Sequence, residues 1–309
     1  MEMMVQMLLA AIASGTPLLL ATLGGIVIER SGIIQLGAEG LMLMGAVTAC
    51  MAYLQTGNLA LTLLAVCAVS LLLGLVHAFF TVSLRTNQIV TGLAMTLFGT
   101  GLSAYIGKPI SGQPVIGAVP IIDLPWLEAV PVIGPIFSHL DLFTWSSFAL
   151  VVVLHFYIYR TSWGLHMRAI GDNPATADVM GIRVHTLRYV YVIAGSMLIG
   201  AAGANLLFTF SAAWTEGMTG GRGWIAVALI IFARWNPLRA LLCAYFFGAL
   251  DMLGFRLQLI GVEIPSYFLK MIPYVVTIFV LMLLGWRNRS KPPGSPEALG
   301  VPYLREQRF

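Results

Sequence analysis

Residues 24–40 read Gly24-Gly25-Ile26-Val27-Ile28-Glu29-Arg30-Ser31-Gly32-Ile33-Ile34-Gln35-Leu36-Gly37-Ala38-Glu39-Gly40 and lie between two apolar runs. Apolar flanks make each charge and each glycine costly there, because a lipid environment offers no water to ionised groups or to loosened backbone. A polar, glycine-dense loop in that setting serves transport rather than packing. Glu29, Arg30, Gly37, Glu39 and Gly40 are therefore taken as a structural or gating motif.

The whole chain agrees with this setting. Of its 309 residues, 59% are hydrophobic and 10% charged, where soluble domains carry about 25% charged residues, and the mean hydropathy is +0.89. Stretches of about 20 apolar residues, each enough to cross a bilayer, recur almost end to end. The composition implies an all-α membrane protein, a polytopic helical bundle without a separate soluble domain. Met1-Glu2-Met3-Met4 lacks the basic start of a cleavable signal, so the N-terminal run is read as retained.

Membrane spans are expected at about 4–28, 38–54, 59–84, 89–107, 142–160, 187–211, 222–234, 238–255 and 264–285. Ser14-Gly15-Thr16-Pro17 interrupts the first run and can divide it, giving nine or ten membrane elements. The run 222–234 is short for a full crossing and reads as a half-helix supported by protein. Alternate connectors differ in charge. One set carries Arg30, Arg85, Arg160, Arg168, Arg183, Arg188, Arg234, Arg239, Arg287, Arg289, Lys291, Arg305 and Arg308; the other carries only Lys108, Arg222, Arg256 and Lys270. The richer set is cytoplasmic by the positive-inside rule. The connector from Gly107 to Asp141, with Asp123 and Glu128, then lies outside, and residues 286–309 form a cytoplasmic tail behind a transmembrane domain of residues 1–285.

Several chemistries are excluded. The lysines precede Pro109, Met271 and Pro292, so there is no phosphate-binding loop of the Walker type, and no histidine is followed by the glutamate of a zinc-protease helix. A serine-hydrolase elbow is also missing. Cys50, Cys67 and Cys243 sit in apolar runs at spacings that suit buried hydrophobes and not a metal site. The net charge of +4 reflects the basic connectors and gives no reason to expect nucleic acid. Ser196, Gly200 and Ala204 repeat at four-residue spacing, the small-residue pattern of close helix crossings in lipid.

The longest basic connector, residues 160–188, contains Arg168-Ala169-Ile170-Gly171-Asp172-Asn173-Pro174. Asp172 or Asn173 can cap a helix that begins at Pro174, where no donor is required, and Gly181 can end it. A two-turn helix is expected there, with Ala175, Ala177 and Val179 available for docking. A simple solvated loop is the competing reading of the same spacing.

At this point four ordered motifs resemble the permease subunits of nucleoside-type ATP-binding cassette importers, relatives of the ribose and branched-chain amino acid permeases. They are Glu29-Arg30-Ser31-Gly32 through Gly37-Ala38-Glu39-Gly40; Arg85 to Leu93; Arg168 to Pro174 with Ala177 and Gly181; and Gly221 to Ala228 leading to Trp235-Asn236-Pro237 and Asp251. One departure is Gln35, where the family commonly has asparagine.

The resemblance implies the permease fold of these importers, with broken helices, and location in the bacterial inner (plasma) membrane as a multi-pass protein. It implies a second, homologous permease in a heterodimer, a cytoplasmic ATPase that binds ATP and magnesium, and a substrate-binding lipoprotein or periplasmic protein. The chain itself then needs no cofactor and is not an enzyme. Arg168, Gly171, Asp172, Asn173, Pro174, Ala177 and Gly181 would form the coupling surface for the ATPase. The cargo implied is a nucleoside, with purine nucleosides first and a simple sugar or a riboflavin-like solute as alternatives.

A weak, mostly apolar route suits an uncharged cargo that must also leave. Its candidate lining is Asn87, Gln88, Thr91, Asn205, Phe208 and Phe210, polar or aromatic positions in spans or at their ends. Glu39 and Asp251 are the charges hardest to place in lipid, with Arg30 or Arg239 as possible neutralising partners. A proton-coupled secondary transporter, which would use such carboxylates directly, is the alternative from another class.

Overall fold

The computed structural model describes residues 2–115, 119–123, 137–259, 265–287 and 294–304. Glu128, Arg289, Lys291, Arg305 and Arg308, named above for their charge, lie outside the described residues. The helices are α1 (Glu2–Arg30), α2 (Ala38–Thr56), α3 (Leu59–Ala78), α4 (Gln88–Gly107), α5 (Leu142–Arg160), α6 (Ser162–Asp172), α7 (Pro174–Val179), α8 (Val184–Asn205), α9 (Arg222–Phe232), α10 (Pro237–Leu259) and α11 (Ser266–Arg287). Helix α3 continues as a π-helical turn over Phe79–Ser83 and α8 as another over Leu206–Ser211. A short antiparallel pair, β1 (Ile121–Asp123) and β2 (His139–Asp141), puts Ile121 opposite Asp141.

Each of the nine expected spans coincides with a helix, and six of the helical stretches among the described residues are long and apolar enough to cross a membrane. The first run is one continuous helix and is not divided at Pro17. A proline inside a helix removes one backbone donor. The Thr16 hydroxyl donates to the Ile12 carbonyl at 2.8 Å, next to the carbonyl that Pro17 leaves without its helical partner.

Helices α1, α2 and α8 form the centre. Helix α1 packs against α8 and α10, α8 against α2 and α3, and α2 against α3 and α4. The crossings depend on small residues. A Cβ on Gly74 would stand 2.8 Å from Ser196 Cβ, and one on Gly45 would run into the Gly200 carbonyl, so α3 and α2 meet α8 with backbones nearly touching. This is the packing that the four-residue repeat of Ser196, Gly200 and Ala204 leads one to expect. Outward faces carry Leu64, Leu72, Leu97, Phe98 and Leu242, all exposed here and suited to lipid tails.

Two stretches enter the bundle without spanning it. After α1 the chain runs back inward as a largely buried, irregular segment, residues 33–37, and only then begins α2. After α8 the chain turns at Ala212, passes the buried Trp214 and reaches Gly221, where α9 begins. With 11 residues, α9 is about 16 Å long, roughly half of a 30 Å hydrocarbon core. Non-helical backbone at that depth is viable only when protein groups satisfy it. Here the Ile34 N–H donates to Gln88 Oε1 at 2.8 Å and the Leu36 carbonyl accepts from Thr96 Oγ1 at 2.8 Å, both from α4.

Candidate functional site

The two entering segments meet at Glu39, in the first turn of α2. Its carboxylate is buried and accepts from Thr219 Oγ1 at 2.5 Å, from the Gly221 N–H at 2.9 Å and from the Gly223 N–H at 2.7 Å. The last two are unpaired amides at the start of α9, where the helix dipole also favours an anion. One side chain therefore joins the N-terminal ends of two helices that arrive from different parts of the chain.

Beside this junction is a cavity of about 520 Å³, lined by Phe210, Arg222, Phe247, Asp251 and Tyr274 among others. Asp251 Oδ2 accepts from Arg222 Nη2 and from Ser14 Oγ, at 2.6 and 2.7 Å. The Arg222 guanidinium lies 4.5 Å from the centre of the Phe210 ring, a cation–π placement. Among the described residues Arg222 Nε has no hydrogen-bond partner. Tyr274 donates its hydroxyl to the Gly220 carbonyl at 2.6 Å and so fixes the loop that precedes α9. The partners of the two carboxylates thus differ from those read from sequence: Arg222, not Arg30 or Arg239, neutralises Asp251, and backbone amides with Thr219 hold Glu39.

A second group of contacts gathers at the basic end of the bundle. Trp235 donates its indole N–H to Glu29 Oε2 at 2.7 Å, while Arg30 Nε donates to the Trp235 carbonyl at 3.1 Å and Arg30 Nη2 to Tyr159 Oη at 3.1 Å. These bonds hold a corner at which Arg234 and Trp235 both have φ of 52°, a left-handed conformation that side chains disfavour. Buried Arg188 donates from Nε to the Ser31 carbonyl at 3.2 Å. Gln35 sends its N–H to Glu29 Oε1 at 3.4 Å, and its buried side-chain amide has no partner among the described residues.

The connector 160–188 holds two helices, not the single short one expected. Asn173 caps α7 by accepting from the Thr176 N–H at 3.0 Å, and Gly181 has φ of 83° just after the helix, as the capping residues indicate. The unexpected helix is α6. Thr161 caps it by accepting from the Gly164 N–H at 3.0 Å, and it buries Gly164, Met167, Ile170 and Gly171 on one face. That face rests on α5 at Gly164 and on α1 at Gly171. A Cβ on Gly171 would collide with the Arg30 carbonyl, so only glycine permits this approach. Asp172 and Asn173 remain exposed, Arg168 lies over the Tyr159 ring at 5.6 Å and Ala177 is buried.

The six candidate pathway residues separate into groups. Phe210 lines the large cavity, and Phe208 lines a second one of about 320 Å³ together with Thr209, Thr144 and Asp141. Asn205 is buried and donates from Nδ2 to Thr209 Oγ1 at 3.3 Å. Asn87, Gln88 and Thr91 stand at the basic end: Asn87 caps α4, Gln88 holds Ile34, and Thr91 bonds the Asn87 carbonyl at 2.9 Å. Sequence reasoning missed Arg222 and Tyr274 as cavity residues.

The model of the family described as the branched-chain amino acid transport system permease component matches residues 7–281. Among curated relatives, a putative glucose ABC transporter permease of Haloferax volcanii is 39% identical, covering 96% of this chain and 97% of its own length. A guanosine ABC transporter permease of Bacillus subtilis is 35% identical over 97% and 96%. A nucleoside ABC transporter permease of Lactococcus lactis is 32% identical over 94% of each chain. With a broken-helix bundle, an end carrying an exposed helical connector and this match over nearly its whole length, the chain belongs to the branched-chain amino acid-type permease family of ATP-binding cassette transporters and is a multi-pass protein of the inner membrane.

Proposed function

We propose that this permease imports nucleosides, purine nucleosides first, as one of two non-identical permease subunits served by a separate ATPase and by a delivery protein outside. The observation that carries the cargo is the cavity beside α9. It is of the size that holds small ligands, it offers the Phe210 and Tyr274 rings for stacking, and it presents the Arg222–Asp251 pair for hydrogen bonding. Relatives described as guanosine and nucleoside permeases support the same class.

In this reading the basic end faces the cytoplasm, and Arg168, Gly171, Asp172, Asn173, Pro174, Ala177 and Gly181 belong to the surface that meets the ATPase. That subunit binds ATP and magnesium, and this chain does no hydrolysis. Movement of α6 passes to α1 where Gly171 abuts the Arg30 carbonyl. From there it passes through the Glu29–Trp235 and Arg30–Trp235 bonds to the end of α9, whose other end borders the cavity. Asn205, Phe208 and Phe210 belong to the outer half of the route, and Asn87, Gln88 and Thr91 to its inner exit. Glu29, Arg30, Gly37, Glu39, Gly40 and Asp251 set the gate between them.

A sugar is the competing cargo, raised by the relative described as a putative glucose permease. Uptake of tritiated guanosine by cells expressing the complete system separates the two. Saturable uptake displaced by unlabelled purine nucleosides and not by glucose is expected. Displacement by glucose alone would overturn the nucleoside reading. Uptake that persists without the ATPase and follows a proton gradient would overturn the importer mechanism itself.

A further inference from the structure

Residues 294–304 lie as a strap across the junction of α6 with α1. The Ala298 N–H donates to the Gly171 carbonyl at 3.0 Å, and the Gly300 N–H to the Gly32 carbonyl at 3.1 Å. The Glu297 N–H donates to Asp172 Oδ1 at 3.4 Å. Two overlapping turns, Leu299 N–H to the Pro296 carbonyl and Val301 N–H to the Ala298 carbonyl, give the strap its own shape. Pro296 is buried with its ring toward Gly171, and buried Tyr303 places its ring 5.7 Å from His185 at the start of α8. The strap therefore bonds the end of α6, the turn after α1 and the beginning of α8 at the same time.

We infer that residues 294–304 are a positioning element for energy coupling, which makes α6 and the α1 turn move as one body when the ATPase moves. Without the strap, α6 meets α1 at this point through the close approach of Gly171 to the Arg30 carbonyl, a contact that can push but cannot pull, and through the Arg188 side chain, which donates to the Ile170 carbonyl at a long 3.5 Å and to the Ser31 carbonyl at 3.2 Å. The two shorter backbone bonds from Ala298 and Gly300 add to this single side-chain link and carry most of the pull in the return direction. The strap is exposed at Glu297 and Val301, so it also borders the surface expected to meet the ATPase. This inference rests on reading residues 160–188 as that surface.

Gly300 is the position to test. Its φ is 79°, a backbone conformation that L side chains rarely adopt, and a Cβ there would also press on the end of the Ile34 side chain, so Gly300→Ala strains the strap at its bond to Gly32 while leaving every residue of the proposed coupling surface intact. The complete importer is reconstituted in liposomes with its ATPase and delivery protein, and both ATP hydrolysis and tritiated guanosine uptake are measured. Expected for Gly300→Ala is a rise of about ten-fold in ATP hydrolysed per solute moved, within the usual span of coupling between sites, at normal membrane abundance. Ile34→Ala in the same chain removes the collision and is expected to restore part of the ratio. An unchanged ratio overturns the inference, as does a parallel fall of hydrolysis and uptake, which would mean that the strap only holds the complex together. Cross-linking from a cysteine at Val179, exposed on α7, tests the docking surface separately. A cross-link to the ATPase with an unchanged ratio sinks the strap alone, whereas no cross-link sinks both.

Discussion

Replacing Glu39 tests the junction on which the two entering segments depend. In Glu39→Gln the amide oxygen can keep one position of the carboxylate, but the amide nitrogen then faces a donor, because Thr219, Gly221 and Gly223 all donate to this side chain. At about 1–3 kcal/mol for a buried donor left without an acceptor, the cost is about 2 kcal/mol. Glu39→Ala strands all three donors, and allowing for water entering the space left behind, a cost of about 4 kcal/mol is expected. For a chain of this size about 2 °C of melting temperature accompanies each kcal/mol, so apparent melting in mild detergent should fall by about 4 °C for the glutamine variant and about 8 °C for the alanine variant. Fluorescence-detected size-exclusion chromatography of heated samples measures this, with Glu216→Gln, exposed at the rim of the same cavity, as the control that should not shift. Transport should fall further than stability, since the start of α9 would no longer be fixed to α2. A glutamine variant that melts and transports like the parent would refute the carboxylate clasp.

Other outcomes follow from single contacts. Trp235→Phe removes the indole donor to Glu29 and is expected to lower stability by about 2 kcal/mol, the scale of a hydrogen bond to a charged group; equal denaturation midpoints would contradict it. Phe210→Ala removes an aromatic wall and the ring beneath Arg222, and at about 1–3 kcal/mol per stacked base it should raise the half-saturating guanosine concentration about ten-fold, read from initial uptake rates. Gly171→Val should insert normally, because its obstruction is local to the Arg30 carbonyl, yet hydrolysis should continue with little uptake. Measuring both activities in one liposome preparation decides that case.

Much of the architecture was legible because hydropathy and length impose it. Nine apolar runs became nine helices, and the shortness of 222–234 marked α9 as a half-helix before any contact was known. Capping chemistry located α7 from Asn173, Pro174 and Gly181. Helix α6 was equally written in the chain, since Gly164, Met167, Ile170 and Gly171 recur at helical spacing behind a threonine cap, although two glycines lower its intrinsic helix propensity. The continuity of α1 through Pro17 was not legible, because it depends on neighbours that enclose the helix. Charge pairing was the least accessible. Arg222 and Asp251 are 29 positions apart and Glu39 reaches its partners across about 180, distances over which sequence pattern carries no geometry. Gln88 stands out in the sequence as a polar residue at the start of a span, but its bond to the Ile34 backbone, 54 positions away, does not.

The paired left-handed residues at the end of α9 have a mechanical meaning. Each costs about 1–2 kcal/mol relative to a relaxed backbone, and neither Arg234 nor Trp235 is a glycine that would relieve it. The corner therefore stores strain that the grip of Glu29 and Arg30 on Trp235 holds in place. Under the proposed coupling route, loss of that grip would release the strain in one step, and the half-helix would then change position abruptly instead of drifting through a leaky middle.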